Sequence, residues 1–338
     1  NLIGGTNSTA RNVISGNDQS GVYISGTTAT GNVVQGNYLG TDATGALDLG
    51  NAFTGVSLSD SPDNLIGGNT PGSGNLISGD ASLRGLIAIE NELSTGNIIQ
   101  GNYVGVDVTG TYALGTSATG IRVDWGAGHT LIGTDGDGVA DELEGNLVAG
   151  IEGSSGSKAI ALSGDHNVVA GNLIGTDASG AVAIPNYWGI GVWGSHNRIG
   201  TNGDGVSDPL ERNIVDSIEV NGSFQEDGAQ HNVIAGNYIG TDITGNQRLG
   251  DDGPVVVLSS NSNHNLLGTN ADGISDDFER NVIAGSDNNH ALQIASSSAN
   301  VVAGNFIGVG ADGTTPIGAT AYGGILMRFA AFANTIGG

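Results

Sequence analysis

The chain has 338 residues, and its 34 acidic and nine basic side chains give a formal net charge of −25 at pH 7. This charge excludes nucleic acid and anionic membrane surfaces as partners, because both are bound through clustered lysine and arginine. The lack of cysteine excludes disulfides, thiol catalysis and thiolate metal sites. No apolar run is long enough to cross a membrane. The chain begins at Asn1 without a signal peptide, so we expect a mature product or a fragment.

A fourteen-residue phrase recurs five times, at intervals of roughly 67 residues. The copies are NVVQGNYLGTDATG (32–45), NIIQGNYVGVDVTG (97–110), NVVAGNLIGTDASG (167–180), NVIAGNYIGTDITG (232–245) and NVVAGNFIGVGADG (300–313). Repetition at a fixed period of this kind indicates an architecture of stacked repeats.

Between these phrases lie short segments in which apolar and polar residues alternate. Examples are GVYIS (21–25), GVSLS (55–59), GIRVD (120–124) and GIGVW (189–193). Alternation with period two predicts a strand with one buried face. Each segment is followed by an asparagine-led strand, such as NVV or NLI, and then by a third short strand. Units of roughly 34 residues are too short for strand–helix–strand units, so each unit is predicted to be one coil of a solenoid.

The recurring asparagines fit the corners of such a coil. Asparagine tolerates the left-handed conformation, and its amide can bond the same residue one coil away. We therefore predict an all-β protein, a right-handed parallel β-helix of about ten coils with three short strands each. Two coil types alternate within each long repeat, and residues 1–338 form a single domain. At the spacing of paired strands the rod is about 48 Å long.

With its repeated NVIxGNxIGTDxTG phrase, the sequence resembles the right-handed parallel β-helix (pectin-lyase-like) superfamily, and the resemblance covers the whole chain. It is most similar to repetitive bacterial surface and secreted proteins. The resemblance implies right-handed coiling, in line with the general preference for right-handed crossovers, and an extracellular or cell-surface location. It specifies function weakly, because this fold carries lyases, hydrolases, epimerases and adhesins.

Three coils carry an acidic insertion: TDGDGVADELE (134–144), TNGDGVSDPLE (201–211) and TNADGISDDFE (269–279). Acids at alternate positions around a glycine are typical of calcium loops, although the spacing departs from the EF-hand. The pattern is similar to the DxDGxxD loops of thrombospondin type 3 repeats. We predict structural Ca²⁺ bound by Asp135, Asp137, Asp141, Glu144, Asn202, Asp204, Asp208, Glu211, Asn270, Asp272, Asp276 and Glu279. The alternative is a solvated acidic loop partly neutralised by Arg212 and Arg280.

The histidines do not indicate catalysis. His166, His196, His231 and His264 each directly precede a repeated asparagine, and His129 holds a related corner. A residue that recurs at one position of the repeat is structural, so we expect these side chains to stack along a corner.

Evidence for an active site is weak. The paired aspartates Asp251–Asp252 and Asp276–Asp277 are not followed by an Arg–x–Lys element, although two carboxylates can hydrolyse a glycosidic bond. An enzyme is therefore not favoured. Four aromatic residues near the fourth and sixth coils could stack sugar rings, or could cap a loop against the rod. They are Trp125, Tyr187, Trp188 and Trp193.

The chain opens with NLIGG and closes with NTIGG, the same phrase of the same coil type. Without a polar cap, such ends predict a segment of a longer array or subunits that stack end to end. The leading interpretation is a structural extracellular β-solenoid, such as an adhesin stalk or filament segment. The alternative is a carbohydrate-active module, either an enzyme or a polysaccharide-binding rod. Non-repeating charged residues that converge on one cleft would favour this alternative.

Overall fold

The computed structural model describes residues 1–79, 84–115, 119–153, 156–249, 255–318 and 322–337. In these residues the chain forms three parallel sheets, and each coil contributes one short strand to each sheet. The fold is a right-handed parallel β-helix with three strands per coil, as predicted. None of its helices has the length and hydrophobicity needed to span a bilayer in the described part of the chain.

The sheets are named A, B and C in the order in which the chain enters them. Sheet A contains β1 (Leu2–Gly4), β4 (Val33–Gln35), β7 (Leu65–Gly67), β10 (Ile98–Gln100), β13 (Leu131–Gly133), β16 (Val168–Ala170), β19 (Arg198–Gly200), β22 (Val233–Ala235), β25 (Leu266–Gly268), β28 (Val301–Ala303) and β31 (Thr335–Ile336). Sheet B contains β2 (Val13–Ile14), β5 (Tyr38–Leu39), β8 (Leu76–Ile77), β11 (Tyr103–Val104), β14 (Leu147–Val148), β17 (Leu173–Ile174), β20 (Ile214–Val215), β23 (Tyr238–Ile239), β26 (Val282–Ile283) and β29 (Phe306–Ile307). Sheet C contains β3 (Val22–Ser25), β6 (Val56–Ser59), β9 (Ile87–Glu90), β12 (Thr119–Asp124), β15 (Lys158–Leu162), β18 (Ile190–Val192), β21 (Ile218–Asn221), β24 (Val256–Ser259), β27 (Leu292–Ala295) and β30 (Ile325–Arg328). The helical segments are α1 (Asp276–Glu279) and two 3₁₀ turns, Asp141–Leu143 and Gly222–Phe224.

The strands pair in a register that repeats from coil to coil and sends one apolar row from each sheet into the interior. In sheet A, Val34 pairs with Ile66, and Ile99 pairs with both Ile66 and Ile132. All four side chains are fully buried. They belong to one hydrophobic core that runs along the rod, so burial of aliphatic side chains is the main stabilising term.

Two ladders of asparagines stack at the corners that precede sheets A and B. In the ladder before sheet B, Asn37 Nδ2 donates to Asn75 Oδ1 at 3.1 Å, and Asn75 Nδ2 donates to Asn102 Oδ1 at 2.9 Å. The same oxygens also accept the backbone N–H groups of Asn37 and Asn75. These buried amides are therefore satisfied by identical residues one coil away, as predicted. The left-handed conformation predicted for the asparagines is instead adopted by the preceding residue, such as Gly36 (φ +67°) and Asp63 (φ +54°).

A glycine at the end of alternate sheet A strands explains why the coils are of two kinds. Gly133 has φ +102°, and a Cβ at this position would lie 1.8 Å from the carbonyl oxygen of Ala170 in the next coil. A Cβ on Gly67 or Gly200 would likewise clash with a carbonyl oxygen of the next coil. Only glycine leaves room for that carbonyl, so the sequence repeats every second coil.

A small hairpin follows sheet B in alternate coils and stacks on the hairpin two coils away. The bridge between Thr41 and Asp48 is antiparallel. The stacking bonds run from Val108 N to Gly45 O (2.9 Å), Ala178 N to Gly110 O (2.9 Å) and Ile243 N to Gly180 O (2.8 Å). The repeated GTDxTG phrase thus builds a continuous hairpin ridge outside the main coil.

Candidate functional site

The three acidic insertions fold in the same way between sheet A and sheet B. In each, the first threonine donates its hydroxyl to the carboxylate seven residues later at 3.1 Å; the pairs are Thr134–Asp141, Thr201–Asp208 and Thr269–Asp276. Equal offsets in the sequence therefore produce equal hydrogen bonds. We call these three loops the acidic ridge (residues 134–144, 201–211 and 269–279).

The glutamate that closes each loop is buried. The exposed fractions are 1 % for Glu144, 0 % for Glu211 and 4 % for Glu279. Each carboxylate accepts a backbone N–H from the start of its own loop, at 3.1 Å from Asp135, 2.9 Å from Asn202 and 2.9 Å from Asn270. Much of the acidic pattern therefore serves to close the loop on itself.

Successive loops of the acidic ridge also lie against one another, two coils apart. A Cβ on Gly136 would lie 2.5 Å from Glu211 Oε1, and one on Gly203 would lie 2.4 Å from Glu279 Oε1. At the N-terminal end of the ridge, Asn69 Nδ2 donates to Glu144 Oε1 at 3.1 Å. The ridge is therefore a continuous acidic surface along one side of the rod.

Of the two arginines expected to neutralise the ridge, Arg280 pairs with an acid of its own loop, whereas Arg212 does not. Arg198 forms an ion pair of 2.9 Å with the buried Glu211. Arg212 instead lies 4.1 Å over the ring of Tyr238, and burial lowers the pKa of this arginine. Arg280 pairs with the exposed Asp277 at 3.1 Å. Arg198, which the sequence did not single out, is therefore the countercharge of the second loop.

The first loop brings together three of the predicted calcium ligands. One carboxylate oxygen from each of Asp135, Asp141 and Glu144 lies within 4.8 Å of the others. Asp137 instead accepts the backbone N–H of Val139 at 2.7 Å. Clustered carboxylate oxygens are the ligands that Ca²⁺ prefers, so this donor set fits the predicted ion. In the other loops Asn202 and Asn270 supply an amide at the position of Asp135.

The four aromatic residues predicted to stack sugar rings do not form one cluster. Trp188 and Trp193 lie at the outer face of sheet C around Lys158, whose Nζ is 4.4 Å and 5.8 Å from the two ring centroids. This lysine is 4 % exposed and donates to Glu219 Oε2 at 2.8 Å. Burial lowers the pKa of Lys158, although Glu219 partly opposes the shift. Tyr187, in contrast, is half exposed.

Trp125 lies apart from this group, directly after β12. It is 50 % exposed, and the guanidinium of Arg84 is 5.0 Å from its ring centroid. Its φ is +53°, in the left-handed region. The same corner holds Asp60 and Asn91 in the two preceding coils, at φ +52° and +75°. Those residue types tolerate this conformation, whereas a tryptophan there is strained.

Charged residues that do not repeat collect on the same outer face. Glu90 and Asp124 are paired in register on β9 and β12 and are 5 % and 7 % exposed. Arg84 lies 3.2 Å from Glu90, and Arg122 pairs with Asp124. We call the outer face of β9, β12, β15, β18 and β21 the non-repeating face.

A cleft of about 390 Å³ lies at the corner beside this face. Its lining comprises Glu92, Thr95, Gly126, Gly128, His129, Ser163, Gly164, Asp165, His166 and Gln225. The two histidines begin a stack of five imidazoles, continued by His196, His231 and His264, with centroid spacings of 4.9, 5.0, 5.1 and 5.4 Å. The prediction of stacked corner histidines is thus confirmed.

The sequence pointed to Trp125 but missed its surroundings. Glu92, Asp165 and Gln225 come from three different coils, and only the fold brings them to one cleft. One signal was present, because Trp125 stands where the two preceding coils have Asp60 and Asn91, although Phe329 holds the same corner after β30 at φ +53°. The Asp251–Asp252 pair lies outside the described residues.

The fold and these sites define a three-sheet parallel β-solenoid with one acidic ridge and one non-repeating face. No protein family, curated protein or solved structure matches the chain.

Proposed function

We propose that the chain is a structural β-solenoid of the bacterial cell exterior, an adhesin stalk or filament segment of the pectin-lyase-like type, whose acidic ridge binds Ca²⁺. The observation that carries this proposal is the regular stacking of asparagine ladders and hairpins through successive coils. Each coil packs on its neighbours along one axis, which suits an extended rod.

Calcium would stabilise the ridge by offsetting its charge. Twelve of the 34 acidic residues lie in the three loops, and like charges at such short range repel one another. The carboxylate oxygens of Asp135, Asp141 and Glu144 would hold the ion in the first loop. The ion would order the loop. Asp141 and Glu144 already accept hydrogen bonds from the start of the same loop, so the ion would add to contacts that hold it closed.

Calorimetric titration with Ca²⁺, together with thermal unfolding in Ca²⁺ and in EGTA, tests the calcium proposal. We expect saturable binding and a higher melting temperature in calcium. Asp135→Asn should weaken binding at the first loop about tenfold, whereas Asp18→Asn, an equal charge change at an exposed site outside the ridge, should not. Absence of binding heat with identical melts would overturn the calcium proposal and leave the rod untouched.

We further propose that the partner at each end is another copy of the chain or a neighbouring repeat of a longer array. β1 and β31 lie at the two edges of sheet A and each pairs on one side only. Edge strands present unpaired N–H and C=O groups, which a further coil in the same register would satisfy. Electron microscopy tests this proposal, because stacked copies would form rods longer than one chain.

A second candidate function is carbohydrate binding. It is favoured by the tryptophans, the lysine and the paired charges gathered on the non-repeating face, since a purely structural rod needs no such departure from its repeat.

A further inference from the structure

We infer that Arg198 replaces a bound calcium ion in the second loop of the acidic ridge, so that the first and third loops bind the ion and the second does not. This inference rests on the calcium proposal and assigns its sites loop by loop. The three loops close through the same threonine–aspartate hydrogen bond. What distinguishes the second loop is a residue of the strand that leads into it.

Leu131, Arg198 and Leu266 begin the three sheet A strands that precede the loops, β13, β19 and β25. They lie in one row of the sheet. Leu131 and Arg198 both pair with Val168, and Arg198 and Leu266 both pair with Val233. The same position therefore holds a cation before the second loop and an aliphatic side chain before the other two.

The guanidinium of Arg198 is bound as a metal ion would be, between oxygen atoms. Its Nη1 donates to Glu211 Oε1 at 2.9 Å and to the carbonyl oxygen of Gly200 at 2.6 Å. Carboxylate and backbone carbonyl oxygens are also the ligands of Ca²⁺. Glu211 is fully buried, and buried charges in proteins are paired or coordinate metals. In the second loop the protein itself supplies the cation.

The equivalent glutamates of the other loops are as deeply buried but lack a cation. Glu144 Oε1 accepts only the neutral amide of Asn69. Glu279 is 4 % exposed, and its Oε2 accepts the N–H of Asn270, whereas its Oε1 has no hydrogen-bond partner among the described residues. Within the described ranges no arginine or lysine forms an ion pair with either glutamate. A buried carboxylate without a countercharge is costly, so these two loops require a cation from solution.

The donor sets predict different affinities for the two sites. The first loop gathers three carboxylates, Asp135, Asp141 and Glu144, with oxygens within 4.8 Å of one another. The third loop has Asn270 at the position of Asp135, so it offers one charge fewer. Because the number of charged ligands sets calcium affinity, the first loop should bind more tightly than the third.

Calorimetric titration of the full chain with Ca²⁺ tests the inference. Arg198→Leu should bind one more ion than wild type, and calcium should raise its melting temperature by more than it raises that of wild type, because Glu211 has lost its cation. The converse change, Leu131→Arg, should weaken binding at the first loop at least tenfold, and it keeps the test decisive if Arg198→Leu folds poorly.

Arg212→Leu is the matched control. It removes the same positive charge directly after the second loop, but Arg212 lies over the ring of Tyr238 and not on a carboxylate. The number of bound ions should therefore stay as in wild type. A gain in both arginine variants would show a general effect of net charge and would overturn the inference.

Two further results separate this inference from the calcium proposal. Calcium binding in wild type, with no additional ion in Arg198→Leu and unchanged binding in Leu131→Arg, would overturn the role of Arg198 alone. If neither wild type nor Arg198→Leu binds calcium, both the calcium proposal and the inference are refuted.

Discussion

Lys158 donates a hydrogen bond of 2.8 Å to Glu219, two coils further along the rod. The lysine side chain passes over Gly191 in the intervening strand β18. A Cβ at Gly191 would lie 2.8 Å from Lys158 Cε. The pair joins three neighbouring coils on the non-repeating face, and Trp188 and Trp193 cover it.

Removing one partner of this pair should destabilise the fold. Lys158→Met leaves the largely buried Glu219 carboxylate without its cation, so the free energy of unfolding should fall by about 3 kcal/mol. The double variant Lys158→Met/Glu219→Leu should recover most of that loss, because neither charge remains. Denaturant unfolding of the single and double variants measures the coupling. Additive losses would show that the pair contributes nothing to stability.

The asparagine ladder before sheet A is interrupted at Thr130. Its N–H donates to Asn167 Oδ1 at 2.9 Å, but its buried Oγ1 has no hydrogen-bond partner among the described residues. Thr130→Asn should restore the ladder between Asn97 and Asn167 and raise the free energy of unfolding by about 1 kcal/mol. The reverse change, Asn167→Thr, is the matched control and should lower it by at least as much. A lower melting temperature for Thr130→Asn would show that the threonine is required there.

The glycine that separates the two coil types should not tolerate a side chain. Gly133→Ala would place a Cβ 1.8 Å from a backbone oxygen of the next coil, so we expect a loss of about 3 kcal/mol. Gly31→Ala is the control, because Gly31 also has a positive φ but no atom within 4 Å of its Cβ position. It should lose only about 1 kcal/mol from the left-handed backbone. Equal losses in thermal unfolding would refute the packing explanation.

The hairpin ridge should weaken in acid. Hydrogen bonds from the hydroxyl and backbone N–H of Thr315 lower the pKa of Asp312 to about 2, and the Thr44 hydroxyl likewise lowers the pKa of Asp42. Because these pKa values are lower in the folded state, the unfolded state binds more protons as the pH falls. The stability they contribute is therefore present above about pH 4 and lost between about pH 4 and pH 2.

Thermal unfolding at a series of pH values checks this prediction. Asp312→Asn should melt lower than wild type at neutral pH and should lose less on acidification. A melting temperature that does not change between about pH 4 and pH 2 would contradict it.

The repeat made most of the fold predictable. Strand positions, the ladders and the histidine stack follow from residues that recur at one place in successive coils, such as Asn37 and Asn75. The pairing of Lys158 with Glu219 was not predictable, because the two are 61 residues apart and their alignment depends on the lengths of the intervening loops. The acidic loops were found by their pattern, but the sequence did not show that Glu144 also closes its own loop.

Electron microscopy of the chain in calcium-containing buffer tests the structural role most directly. We predict straight rods of uniform width, with lengths that are whole multiples of about 48 Å as coils continue from one copy to the next. Compact or irregular particles, or particles that remain one chain long at every concentration, would contradict the proposal of a structural rod that stacks end to end.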